Sequence, residues 1–234
     1  MFKILNREFN AYFTSPVGYI FLGFTLILSG WFFSSMNLFY QSADMYGFFS
    51  NLQIIFIFLV PLLTMRLIAE DRRTKVDQLL LTSPLSITEI VLGKFLAAFS
   101  LFLVAMAVMC FYPLIINIYG KVNFEVFISM LIGFVLLGAA LISVGLFISS
   151  LTESQITSAI VSFVIMLVFW LSEWLASVIG VKFISKAILW FSVIYRYKEF
   201  TIGVLDFSTL IFYISFTALF LFFTIQSIDN KRWN

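Results

Sequence analysis

Six long apolar runs, separated by short polar segments, dominate the sequence. Each run has at least the roughly 17 residues that an α-helix needs to cross a bilayer. A helix is favoured there because it satisfies its backbone hydrogen bonds within one segment. The pattern therefore predicts an all-α membrane protein with a single transmembrane domain, residues 1–234. The predicted transmembrane helices are residues 17–40, 52–68, 87–118, 126–150, 156–179 and 207–225.

Residues 1–16 follow another pattern, in which Phe2, Leu5 and Phe9 recur at steps of three and four with polar residues between them. This spacing predicts an amphipathic helix with a narrow apolar face, which suits the membrane interface. The helix should end before Pro16, because proline disfavours the helical conformation of the residue before it. A signal peptide is disfavoured, because the apolar run that follows is long and lacks a small-residue cleavage site.

Three spans begin with a capping-box pattern, a Ser or Thr followed three residues later by Glu or Gln. These pairs are Ser50 with Gln53, Ser86 with Glu89, and Thr152 with Gln155. They predict the starts of the second, third and fifth spans. Lys94 falls in the second turn of the third span, where its long side chain is expected to reach the interface.

The most charge-rich stretch runs from Arg66 to Lys94, between two apolar runs. Such a stretch cannot lie in hydrocarbon, so residues 69–85 are predicted to form a loop that faces water or another protein. Three adjacent leucines, Leu79–Leu81, follow the charges and favour docking onto a protein surface. The alternative is that these leucines fold back onto the membrane.

Small residues crowd the fourth span, including Gly133, Gly138 and Gly145. Small side chains let helix backbones approach closely in lipid. Packing within the chain is favoured over a seam between two copies.

Glu173 lies in the fifth span between Trp170 and Trp174. An acid inside a span is a candidate pathway residue. Because Glu173 lies near one end of the span, an interfacial or structurally paired carboxylate explains it at least as well as a pathway residue does. Residues 180–205 follow, in which basic residues flank an apolar run too short to cross the membrane. This segment is predicted to be a re-entrant or interfacial helical hairpin.

Composition agrees with a membrane protein, since 62% of the residues are hydrophobic and only 11% are charged. The chain has no histidine and a single cysteine, Cys110, so histidine-based catalysis, histidine metal sites and an internal disulfide are excluded. The sequence has no phosphate-binding loop of the GxxxxGK[ST] type. Lys and Arg are more frequent on the side of the termini and the charged loop, which places both termini in the cytoplasm.

Several stretches of the sequence resemble the permease subunit of type 2 ABC transporters, close to the gliding-motility-type branch. The similar stretches are Arg7–Ile20, Pro61–Arg73, Gln78–Lys94 and, more loosely, Lys198–Ser215. The sequence departs from the family at Lys75–Gln78, where many relatives have Gly-Thr, an apolar residue and Glu.

The resemblance implies an interfacial N-terminal elbow helix, a cytoplasmic coupling helix after span 2 and a re-entrant pair before span 6. It also implies a working unit of two ATPase subunits and two permease subunits in the cytoplasmic membrane. The second permease would be another copy of this chain or a related chain. The ATPases would bind ATP and Mg²⁺, and this chain would hold no cofactor, metal or catalytic residue. The implied ATPase-coupling residues are Glu70, Asp71, Arg72, Arg73, Asp77, Leu79, Leu80, Leu81, Thr82, Ser83 and Pro84.

Other functions are also compatible with parts of the sequence. A regulatory or assembly subunit that moves no substrate fits the same spans. A secondary transporter fits less well, because that class usually carries ionisable groups near the middle of the bilayer. A membrane-embedded enzyme is disfavoured, because no span contains paired acids or a histidine.

Overall fold

A computed structural model describes residues 2–76, 86–118, 120, 122–179 and 182–232, without the side chains of 182–184, 187, 231 and 232. Every regular element in these ranges is a helix. The helices are α1 (Phe2–Thr14), α2 (Pro16–Phe33), α3 (Tyr46–Thr64), α4 (Ala69–Arg73), α5 (Ile87–Met109), α6 (Tyr112–Ile116), α7 (Phe124–Leu151), α8 (Gln155–Val178), α9 (Lys182–Phe191), α10 (Val193–Thr201) and α11 (Phe207–Arg232). A π-helical turn, Ser34–Leu38, continues α2.

Six segments are long and apolar enough to cross a membrane, which confirms the six predicted spans. They are Pro16–Leu38, Tyr46–Arg73, Ile87–Ile116, Phe124–Leu151, Gln155–Val178 and Phe207–Asn230. The third is interrupted at Cys110 and Phe111, between α5 and α6. Pro113 accounts for this break, because its ring clashes with the carbonyl four residues earlier and it has no N–H to donate.

The central helix is α7, which packs against α3, α5, α8, α10 and α11. Its glycines permit this close packing. A Cβ atom on Gly138 would lie 2.3 Å from the ring of Phe102, and one on Gly145 would lie 2.2 Å from the Thr64 hydroxyl. Both positions lack room for any side chain. The prediction that these small residues pack within the chain is confirmed.

Aromatic rings fill the interior around α7. The ring of Phe134 lies within 5.3–6.3 Å, between centroids, of Phe49, Phe56, Phe102 and Tyr197. Several of these contacts have the edge-to-face or tilted geometry that aromatic pairs prefer. Much of the phenylalanine in this sequence therefore packs between helices as well as facing lipid.

One of the three predicted helix starts is confirmed. Ser86 caps α5, since its hydroxyl accepts from the Glu89 N–H at 3.2 Å while the Glu89 carboxylate accepts from the Ser86 N–H at 3.3 Å. This is a complete capping box, and it satisfies two backbone donors that the helix itself cannot pair.

The other two predicted capping boxes are wrong, although the predicted start of the fifth span, residue 156, lies one residue from the observed start of α8. α3 begins one turn earlier than Ser50, at Tyr46, whose N–H donates to the carboxylate of Asp44 at 2.9 Å. At the fifth span, α8 is capped by Ser154, which accepts from the Thr157 N–H, while Thr152 ends α7. Ser154 is a strong N-cap and takes the place predicted for Thr152. At α3 the N-cap is Met45, and the preceding Asp44 binds the first N–H of the helix.

Candidate functional site

Polar side chains meet at the two ends of α3. At its C-terminal end, Glu8, Arg66, Glu70, Asp71 and Lys94 form a cluster that we call the charged junction. At its N-terminal end, residues of α3, α8 and α10 line a small polar cavity. The two sites are separated by the length of the helix.

Lys94 is the centre of the charged junction. Its ammonium group lies 2.7 Å from the Asp71 carboxylate and 3.1 Å from the Glu8 carboxylate, and it donates to the carbonyl of Leu67 at 2.5 Å. Only 2% of its side chain is exposed. The prediction that Lys94 reaches the interface is therefore wrong, because its partners on α1 and α4 enclose it.

The pairing explains how a charge is tolerated there. A buried ammonium is costly unless opposite charges and hydrogen bonds compensate for lost hydration. Here the ammonium donates to the Glu8 carboxylate and to the Leu67 carbonyl, and the nearby Asp71 carboxylate adds a second opposite charge. Burial alone would raise the pKa of Glu8, but the positive charges of Lys94 and Arg7 and their hydrogen bonds outweigh burial and lower its pKa below the usual value.

A second set of contacts joins the end of α1 to the end of α3. The Arg66 guanidinium lies 3.0 Å from the Glu70 carboxylate, donates to the Ser15 hydroxyl, and lies over the ring of Tyr12. The Tyr12 hydroxyl donates to the carbonyl of Leu63 at 3.0 Å. Burial raises the pKa of Tyr12, so this donor stays protonated at neutral pH.

The turn between α3 and α4 is also bound to α7. The Ser149 hydroxyl accepts from the N–H groups of Ile68 and Ala69, at 3.1 Å each, and donates to the carbonyl of Met65 at 3.2 Å. These bonds satisfy backbone groups that become unpaired when α3 ends. One hydroxyl on α7 thus fixes the turn from which α4 starts.

The sequence-predicted coupling residues separate into three groups. The carboxylates of Glu70 and Asp71 face the charged junction, where they pair with Arg66 and Lys94. Arg73 is exposed and Arg72 is partly buried. The remaining predicted residues, Asp77, Leu79, Leu80, Leu81, Thr82, Ser83 and Pro84, lie outside the described residues.

Glu8 and Lys94 were missing from the predicted site. Glu8 lies in a stretch of α1 that the sequence marks only as amphipathic, and Lys94 is a single cation at the edge of a span. A signal was nevertheless present. Lys94 is the one basic residue between Ile87 and Leu114 in the sequence, and a charge placed inside a span usually has a partner.

At the other end of α3, Glu173 of α8 forms an ion pair with Lys198 of α10. The Lys198 ammonium lies 2.6 and 2.7 Å from the two carboxylate oxygens, and both side chains are about half exposed. Ser50 and Gln53 of α3 line the same cavity, which has a volume of about 180 Å³. Glu173 is therefore paired, and it lies near the C-terminal end of its span.

Comparison with known protein families identifies a match. The sequence model of a family described as "ABC-2 family transporter protein" matches residues 33–194. This range begins at the last residue of α2 and ends in the first turn of α10, so it includes α4, Lys94 and Glu173. No curated protein sequence matches the chain.

Proposed function

Because this chain belongs to the ABC-2 family of transporter proteins, we propose that it forms the translocation pathway of an ATP-driven exporter, as a dimer. It is a multi-pass membrane permease. In this proposal a separate ABC ATPase subunit, present in two copies, binds ATP and Mg²⁺ and drives transport. This chain then contributes the pathway and the surface on which the ATPase acts, and no catalytic residue.

The observation that carries the proposal is the charged junction. Through Lys94 it connects α1, the segment that starts with α4, and the third span. Ser149 connects the same segment to α7 at the centre of the bundle. A force applied to this segment by an ATPase therefore acts on several helices at once, because buried ion pairs and hydrogen bonds transmit displacement through close-packed elements.

The two faces of α4 have different roles in this proposal. Glu70 and Asp71 hold it to the permease through Arg66 and Lys94, so they are anchors for the coupling segment. Arg73 is exposed and contacts the rim of the ATPase surface. Leu79–Leu81 supply the apolar anchor of that interface, since large apolar side chains in a desolvated centre dominate binding.

The finer assignments belong to the same proposal. α1 is an elbow helix in the interface, and α9 with α10 forms the re-entrant hairpin before the last span. Both termini and α4 face the cytoplasm, and the protein lies in the cytoplasmic membrane. In this proposal the chain belongs to the gliding-motility-type branch, because the stretches named in the sequence analysis resemble that branch.

A regulatory or assembly subunit that moves no substrate is the second candidate function. It would use the same coupling segment to hold an ATPase without forming a pathway. A secondary transporter is less well supported, because the spans have charged residues only towards their ends in the sequence.

The test is to purify the tagged chain from its own membrane and to identify what is retained. We expect an ABC ATPase in equal number, whose ATP hydrolysis responds to reconstitution in lipid. Vesicles that hold both subunits should then move a substrate only with ATP present. An ATPase that is retained but supports no transport would favour the regulatory subunit, and purification without any ATPase would contradict both.

A further inference from the structure

The polar cavity at the N-terminal end of α3 has features of a ligand site. It is lined by Ser50 and Gln53 of α3, Trp170 and Glu173 of α8, and Tyr195 and Lys198 of α10, among others. A volume of about 180 Å³ is below the roughly 300 Å³ at which pockets begin to hold drug-sized molecules. The cavity is therefore suited to a small group and not to a whole amphiphile.

The charges of the cavity are accessible. About half of each side chain in the Glu173–Lys198 pair is exposed, at 53% and 51%. Exposed ion pairs contribute little to stability, so a ligand can bind between or beside these charges at low cost. The Lys198 ammonium also lies 5.6 Å from the centre of the Tyr195 ring, so an aromatic ring borders the charged pair.

Two further polar side chains line the cavity from the first turns of α3. Ser50 and Gln53 are one helical turn apart and half-buried, and neither side chain is hydrogen-bonded to another described residue. Amide and hydroxyl groups in such a place bind water or a polar ligand. They add neutral donors and acceptors beside the ion pair.

We propose that this cavity binds a small zwitterionic group, an ammonium joined to a phosphate or carboxylate, such as the head group of a phospholipid. The ligand ammonium lies against Glu173 and the ligand anion against Lys198. A ligand with a single charge would pair with only one of the two protein charges, so it would make fewer charged contacts than a zwitterion. This site is independent of the proposed coupling to an ATPase.

The position of the cavity indicates where such a ligand comes from. Trp170 lines the cavity and is exposed, as is Trp174 next to Glu173 in the sequence, and exposed tryptophans at the ends of spans mark the level of lipid head groups. A head group can therefore enter sideways while its chains stay in the bilayer. A free zwitterion of the same chemistry would enter from water.

The test uses purified protein in detergent, titrated with dihexanoyl phosphatidylethanolamine and followed by native mass spectrometry. Dihexanoyl phosphatidylglycerol, which has the phosphate but no ammonium, is the comparison. We expect one phosphatidylethanolamine per chain, bound at least about tenfold more tightly than phosphatidylglycerol. Equal binding of the two lipids would overturn the proposal.

Variants identify the site. Glu173→Gln and Lys198→Gln should each weaken phosphatidylethanolamine binding by about tenfold, whereas Lys186→Gln should leave it unchanged. Lys186 is the matched control, because it is an exposed lysine on α9 of the same hairpin and does not line the cavity. Binding that is the same in all three variants as in the parent would place the lipid elsewhere and overturn the assignment.

Two measurements remain informative even if a charge variant fails to fold. Gln53→Leu leaves the ion pair intact and should still weaken binding several-fold. In the unmodified protein, phosphoethanolamine should displace the lipid and glycerol 3-phosphate should not. If phosphoethanolamine displaces the lipid at a concentration similar to that of the lipid, the ligand is a free zwitterion. If a much higher concentration is needed, the ligand is the lipid. Equal displacement by phosphoethanolamine and glycerol 3-phosphate would contradict the proposal.

Discussion

Lys94 and Asp71 form an ion pair in which the ammonium nitrogen lies 2.7 Å from a carboxylate oxygen, although Lys94 is almost completely buried. Glu8 completes the group from α1. The pair joins the third span to α4, the first element of the proposed coupling segment. Its strength and its role in coupling can be measured separately.

Lys94→Met should lower the free energy of unfolding by about 3–5 kcal/mol, because it removes the buried cation between Glu8 and Asp71 and leaves Asp71 without its ion-pair partner. Thermal unfolding in detergent measures this. Lys75→Met is the control, since Lys75 is an exposed lysine of the same region. The double variant Lys94→Met with Asp71→Asn should recover part of the loss. A Lys94→Met variant as stable as Lys75→Met would show that the junction contributes nothing.

Acid should abolish the contribution of Glu8. The pKa of Glu8 is lowered in the folded protein. Its ionised form therefore stabilises the fold at a pH above the usual pKa of about 4.5. This stability is lost as the pH falls through the lowered pKa. The difference in unfolding midpoint between the parent and Glu8→Gln should be constant around neutral pH and shrink below about pH 4.5. A difference that grows in acid would contradict this sign.

Leu79→Ala with Leu80→Ala should weaken binding of the ATPase by about a hundredfold or more, because burying each leucine is worth roughly 1.5–3 kcal/mol. Arg73→Ala, which removes an exposed charge, should cost only about 0–1 kcal/mol and mainly alter the dependence on salt. Co-purification of the ATPase at two salt concentrations measures both. If the leucine variant retains its partner fully, these leucines pack against the membrane or the permease, and the docking surface lies elsewhere.

Gly138→Ala should destabilise the protein by about 1–3 kcal/mol, because its Cβ atom would overlap the Phe102 ring. Gly23→Ala on α2 is the matched control, since no atom lies within 4 Å of its added methyl group. Phe102→Leu in the Gly138→Ala background should restore part of the loss by opening space. Unfolding midpoints of the four proteins test the contact, and equal effects at the two glycines would refute it.

The orientation can be tested with single cysteines at positions 44, 75, 153 and 190. The starting protein is Cys110→Ser, which removes the single cysteine of the sequence. In intact cells an impermeant thiol reagent should label positions 44 and 190 and spare positions 75 and 153. Labelling of position 75 with protection of position 44 would reverse the orientation.

The spans and one helix start were predictable from the sequence because their signals are local. Six apolar runs specify six membrane helices. In the capping box, Ser86 and Glu89 lie three residues apart and bind each other, so the sequence shows both partners. The start of α3 was missed because the helix begins at Tyr46, four residues before the Ser50 pattern, where Asp44 binds its first N–H. The charged junction was missed for a different reason: Lys94 pairs with residues 23 and 86 positions away in the chain, and no local pattern shows that they meet.

The long sequence separation between Glu8 and Lys94 has a consequence for biogenesis. α1 leaves the ribosome before the third span, and the buried partner of Glu8 is made only when that span is being synthesised. Until then Glu8 has no ammonium to pair with, and α1 cannot adopt its final position. Closure of the junction therefore marks the point in synthesis at which the first three spans are together in the membrane, and a chain arrested before Lys94 should expose α1 to proteolysis.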